Sequence, residues 1–147
     1  MTVTSFTDYS LRALIYLAIQ QKELSTIKEI AESYDISRNH LMKVVQELSH
    51  REYVKAIRGK NGGIKLNREP KDINIGTLVR ELEQGSALVE CFGDNNQCVI
   101  TPACQLKKML GEALEGFFVT LEKYNLADLI QPKEKSELTK ILNITAD

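Results

Sequence analysis

At 147 residues with a net charge of -1, the chain has material for one compact module with an extension and too little for two full domains. No apolar run approaches the ~18 residues a bilayer span needs, which excludes a helical membrane protein. No basic cluster leads the N-terminus into a signal-type apolar run, and three cysteines are an odd number, so neither export nor a disulfide framework is expected and the expected compartment is the reducing cytoplasm. The charge is uneven: up to Ile75 there are 12 Lys and Arg against 9 Asp and Glu, and beyond it 7 against 11. Between Arg38 and Arg68 eight cations face only Glu47 and Glu52. That is the footprint of a phosphate-backbone partner, or else a solvated, salt-bridged face.

In chain order, Ser5-Phe6-Thr7-Asp8 has capping-box spacing and predicts a helix to about Gln21, with Leu11, Leu14, Ile15, Ala18 and Ile19 as its buried stripe. A second box, Thr26-Ile27-Lys28-Glu29, starts a short helix through Ser33, and Tyr34-Asp35-Ile36 makes a turn. Ser37 then caps a third helix to about His50, with Leu41, Val44, Val45 and Leu48 inward and Arg38, Asn39, Met42, Lys43, Gln46 and His50 outward. This is a helix-turn-helix.

Tyr53 to Arg58 and Ile64 to Asn67 alternate like strands around Gly59-Lys60-Asn61-Gly62-Gly63. Three glycines in five residues predict a hairpin with positive backbone dihedrals and Lys60 at its tip, a wing. Pro70 ends the wing, and residues 75 to 83 form a fourth amphipathic helix. Thr101-Pro102 predicts a helix start with Cys104 in the first turn, running from Ala103 to about Tyr124. Its apolar face, from Leu106 to Leu121, is too broad for its own small domain and calls for a partner helix and a two-fold dimer. The chain beyond Gln131 is expected to be mobile, with at most a short helix over Ser136 to Leu142.

The expected fold is mainly α with a small β-hairpin wing. It comprises a winged helix-turn-helix DNA-binding domain over 1–83, a cysteine loop over 84–104, a long dimerisation helix over 103–130 and a tail over 131–147. All three cysteines lie in the loop, six residues separating Cys91 from Cys98 and five separating Cys98 from Cys104. Three soft thiolates converging on one point suit iron-sulfur chemistry or zinc, and buried apolar fillers are the plainer alternative. No general base, oxyanion donor or CxxC pair accompanies them, so no enzyme is expected.

On the face expected to meet DNA, Arg38 suits guanine or phosphate, Asn39 suits adenine, and Lys43, Arg58 and Lys60 suit phosphates. Ser37, His40 and Asn61 complete the candidates, Ser37 first as a helix cap.

Taken together, Thr4-Ser5-Phe6-Thr7-Asp8-Tyr9 with Leu11-Arg12-Ala13-Leu14, Ser37-Arg38-Asn39-His40, Arg58 to Gly63, Val79-Arg80-Glu81-Leu82-Glu83 and Cys98 to Cys104 resemble the bacterial Rrf-type winged-helix regulators over nearly the whole chain. Within that family the likeness is to the nitric-oxide-sensing repressors. The resemblance implies a homodimer on a palindromic operator in double-stranded DNA, controlling nitric oxide detoxification genes. It also implies an iron-sulfur cluster, [2Fe-2S] or [4Fe-4S], on Cys91, Cys98 and Cys104. A non-cysteine fourth ligand is implied, which in members with an acidic residue near the first helix comes from the partner; that places Asp8 in the role. A related branch uses a histidine just after the last cysteine, and Gln105-Leu106-Lys107-Lys108 offers none. Six residues between the first two cysteines is a longer spacer than the family's. The alternative signals for the same parts are iron supply and redox state.

Overall fold

The computed structural model describes residues 1–144. The order is α1 (Ser5–Ile19), α2 (Ile27–Tyr34), α3 (Arg38–His50), β1 (Val54–Ile57), β2 (Gly63–Leu66), α4 (Ile75–Leu82), α5 (Gln105–Leu121) and α6 (Pro132–Ile141). Single 3-10 turns precede α4 and α5, another lies in the cysteine loop, and a fourth precedes α6. Mainly α with a two-stranded antiparallel hairpin is therefore the observed class. No helix among the described residues is long and apolar enough to cross a membrane.

The first helix is capped by Thr4 rather than Ser5: the Thr7 N–H donates to Thr4 Oγ1 at 3.3 Å. The reason lies far away in sequence. The Thr4 N–H and hydroxyl both donate to the Glu83 carboxylate at 2.9 Å, which holds Thr4 in extended geometry just outside the helix. Asp8 does not close a capping box: with Thr4 as the cap it lies one position too far along the helix, and its carboxylate pairs with Arg12 instead. The buried face also differs from the expected stripe. Leu14 and Ile19 are buried as expected, together with Thr7, Ser10, Ala13, Tyr16 and Leu17, while Leu11, Ile15 and Ala18 are only half-buried. Helix α1 runs through the middle of the domain, so its interior face is wider than one stripe. The buried Ser10 and Thr7 hydroxyls stay satisfied locally: Ser10 Oγ donates to the Phe6 carbonyl at 2.7 Å, and Thr7 Oγ1 accepts from the Thr4 hydroxyl at 3.1 Å.

The capping box at Thr26 forms, and Ser37 caps α3 by accepting from the His40 N–H at 3.3 Å. Between them Asp35 takes the left-handed conformation, φ 53°, which turns the chain sharply; aspartate is one of the few side chains that tolerate it. Leu41, Val44, Val45 and Leu48 are buried as expected.

In the hairpin Val54 pairs with Leu66 and Ile57 with Gly63. Only one wing glycine needs a positive dihedral, Gly59 at φ 110°. Gly62 and Gly63 are demanded by space instead: a side chain at Gly62 would run into the Ile57 carbonyl oxygen, and at Gly63 into the Ser25 backbone. Ser25 pairs with Ile64 through reciprocal bonds of 3.0 and 2.7 Å, which anchors the wing to the segment before α2.

After α5 the chain returns to the domain. The Ile75 N–H donates to the Tyr124 carbonyl and the Leu126 N–H to the Ile73 carbonyl, both at 2.9 Å, and Ile73, Leu78 and Leu126 are fully buried. The tail expected to be mobile forms α6 and docks. Leu142 is 5% exposed, and its carbonyl accepts from Ser33 Oγ at 3.0 Å. Pro132 at the helix start and the apolar Leu138 and Leu142 supply what the charged Pro132-Lys133-Glu134-Lys135 run hides. Residues 145–147 of that expected tail lie outside the described residues.

Candidate metal centre and nucleic-acid interface

Of the eight cations between Arg38 and Arg68, the fold commits three. Arg51 pairs with Glu47 at 2.7 Å and reaches Glu81 at 3.7 Å. Lys65 pairs with Glu23 at 3.4 Å. Arg68 lies over the Tyr53 ring at 4.0 Å and donates to the Arg51 and Glu52 carbonyls at 2.9 and 3.2 Å. The other five, Arg38, Lys43, Lys55, Arg58 and Lys60, are exposed and in no ion pair among the described residues.

Asn39 and Asn61 are likewise exposed, and Ser37 sits as the cap at the head of the same helix. These candidates on α3 and the wing are thus uncovered and carry unspent positive charge, as a phosphate partner requires. His40 differs: its ring lies edge-on to Tyr9 at 4.7 Å and near Phe6 at 6.4 Å, so it faces α1 and joins the recognition helix to it.

The thiol loop begins where Glu83 holds Thr4. Cys91 lies in a short turn, Glu90–Phe92, and is half-buried; Cys98 is exposed; Cys104 is half-buried. The stretch from Asn96 to Thr101 is closed on itself. Asn96 Oδ1 accepts from the Cys98 N–H at 2.9 Å, Asn96 Nδ2 donates to Thr101 Oγ1 at 2.8 Å, and that hydroxyl donates to the Cys98 carbonyl at 2.8 Å.

Cys104 is the cap of α5 rather than part of its first turn. Thr101-Pro102 does start a turn, but it is a three-residue 3-10 turn broken by the extended backbone at Cys104. The Lys107 N–H then donates to Cys104 Sγ at 3.4 Å.

All three thiols are free, so the donor set has the chemistry of a soft-metal site. The folded single chain does not gather it: among the described residues no three His, Cys, Asp or Glu side chains form a group that can hold a metal. Asp8 is half-exposed and clamped by Arg12 through bonds of 3.1 and 2.9 Å. Arg12 is itself boxed between the Tyr9 and Tyr34 rings at 5.3 and 5.9 Å, and the Tyr34 hydroxyl donates to its carbonyl at 2.8 Å. Burial pushes Tyr34 up to about 12, the Arg12 charge opposing.

One side chain that positions this region belongs to a motif of the resemblance, but nothing in the sequence shows its task. Glu83 ends α4, opens the thiol loop and holds the cap of α1 from 79 residues away. No local spacing rule reaches that far.

The model of the Rrf2 family, described as an iron-dependent transcriptional regulator, matches residues 3–132. The HTH-type transcriptional regulator NsrR of Bacillus subtilis is 51% identical over 146 residues, covering 98% of this chain and 99% of that one. Among solved structures, T. potens IscR superposes with a TM-score of 0.72 at 25% identity, covering 93% of this chain and 91% of that one. CymR, the global cysteine regulator of B. subtilis, superposes with a TM-score of 0.63 at 26% identity over 88% of this chain and 95% of that one. A winged-helix fold of this topology, exposed cations on α3 and the wing that are in no ion pair, and relatives that are transcriptional regulators over their full length lead to one conclusion: the chain belongs to the Rrf2 family and is a DNA-binding transcriptional regulator, not an enzyme.

Proposed function

We propose that the chain is a homodimeric, cytoplasmic repressor that binds a palindromic operator while its thiols hold an iron-sulfur cluster, and releases it on exposure to nitric oxide. Derepression of nitric oxide detoxification genes follows from the same reading. The observation that carries it is the arrangement of three free, incompletely covered thiols in a loop slung between α4 and α5, beside a domain that leaves Arg38 and Lys43 on α3 and Arg58 and Lys60 at the wing exposed and in no ion pair among the described residues.

Cys91, Cys98 and Cys104 hold the cluster, and the partner subunit's Asp8 supplies the fourth ligand. When bound, the cluster supplies iron that reacts with nitric oxide. Asp8 must leave its ion pair with Arg12 to act as a ligand, so the pair sets a modest barrier to assembly; half-exposed ion pairs of this kind are worth about 0.5 kcal/mol. A carboxylate among thiolates is also the weakest donor of the set.

Support for the dimer comes from α5. None of its residues is buried, and Leu106 is 58% and Met109 63% exposed. A 17-residue helix with such a face is covered most simply by its own symmetry mate.

The family description as iron-dependent favours a second reading, in which loss of iron supply rather than nitric oxide is the signal. Anaerobically purified protein with iron and sulfide quantified separates them: operator binding at matched salt is followed before and after nitric oxide and, separately, a chelator. The loaded protein should bind at least tenfold tighter than the apo form and lose binding on nitric oxide. Equal binding by apo and loaded protein rejects both readings, and a response to chelator alone selects the second.

A further inference from the structure

The outward face of α3 is polar with one exception. Met42 is 43% exposed among Arg38, Asn39, Lys43 and Gln46. It is not needed for packing, because the inner face is filled by Leu41, Val44, Val45 and Leu48. Beside it lies a shallow notch formed by Met42 with Ile27, Ser37, Arg38 and Asn39. Past Ile27 and Arg38 the apolar floor continues to Ala56 and the exposed Ile57 at the wing.

We propose that Met42 is a specificity-determining residue whose side chain, with Ile27 behind it, receives the C5-methyl group of an operator thymine in the major groove. The inference deepens the DNA-binding reading and rests on it. Met42 follows Asn39 by three residues and Arg38 by four, so it lies one helical turn from each and neighbours both on the helix surface. Asparagine is matched to adenine N6 and N7, arginine to guanine, and among the four bases only thymine presents a methyl on that groove wall.

A thioether forms no useful hydrogen bond to a base edge, so Met42 discriminates by shape. Cytosine in the same place leaves the notch unfilled and its N4 amino group without an acceptor. The occupant is nucleic acid because Arg38, exposed and in no ion pair, lines the notch and the exposed Lys43 follows Met42 on the same helix; a second copy docking this face symmetrically would bring the same cations against them.

The test uses the full chain and an operator it selects from a random duplex pool at fixed salt. Each thymine of the half-site is then replaced by deoxyuridine, which removes the methyl alone. Wild type should show one thymine per half-site at which this weakens binding about fourfold, the effect of one buried methyl group. Met42→Ala should lose that sensitivity and Met42→Leu keep it, with thermal midpoint and salt slope unchanged in both. The proposal is overturned if no thymine is sensitive, if Met42→Ala is as sensitive as wild type, or if Met42→Leu loses the discrimination along with Met42→Ala. Failure of wild type to select any sequence would instead remove the DNA-binding reading itself, and this proposal with it.

Discussion

Lys60 and Lys65 sit five residues apart on the same hairpin, yet the fold gives them different tasks. Lys65 is tied to Glu23, while Lys60 stands exposed at the wing tip. Replacing Lys60 by Ala should weaken binding to operator and unrelated DNA alike and flatten the slope of log affinity against log salt by about 0.9, the value of one phosphate contact. Lys65→Ala should change neither; fluorescence anisotropy over a salt series reads both. Tyr34 makes a second residue-level prediction. Its hydroxyl is held neutral by burial, pushed from 10.0 to about 12. The folded state therefore binds this proton more tightly than the unfolded chain does. Its stabilising contribution is complete below pH 10 and is lost as pH rises from about 10 through about 12. Urea denaturation at stepped alkaline pH should show that loss in wild type and a weaker one in Tyr34→Phe.

At the scale of elements, the joint between α1 and the thiol loop depends on one carboxylate. Glu83→Ala removes both bonds to Thr4 and should cost about 1 kcal/mol of stability, with faster amide exchange in the first turn of α1 and little change in the wing. Amide hydrogen exchange followed by mass spectrometry gives both readouts. The helices α2 and α3, their caps and their core faces were legible in the sequence because capping and periodicity act within a turn or two of chain. The wing was legible as a hairpin, but the reason for Gly62 and Gly63 was not. It depends on where the Ile57 carbonyl and Ser25 come to lie. Likewise Thr101-Pro102 announces a turn, but only the extended backbone at Cys104 makes that thiol the cap of α5.

At the scale of the molecule, a single core runs from Ala13 to Leu142, so the end of the chain helps hold the DNA-binding part together. Leu142→Ala should destabilise the whole protein by about 2 to 4 kcal/mol, as a buried leucine deletion does. Urea titration with a helix signal and a Tyr fluorescence signal should move as one transition. Two separate transitions would instead show the tail to be an independent unit.

The class of the fold, the helix-turn-helix and wing, the gathering of all thiols in one loop and the excess of cations on one stretch are legible in the residues alone. Each of these is written in residues near one another or in simple counts. Packing in three dimensions settles which of those cations stay free, which residue caps α1, that His40 turns inward and that the tail docks. It also settles that Asp8 is paired with Arg12 and that one folded chain leaves its thiols ungathered. Most of those outcomes depend on partners far apart in the chain, and even the local Asp8–Arg12 pair is one choice among competing partners; such a choice is settled by distance, which no local pattern encodes.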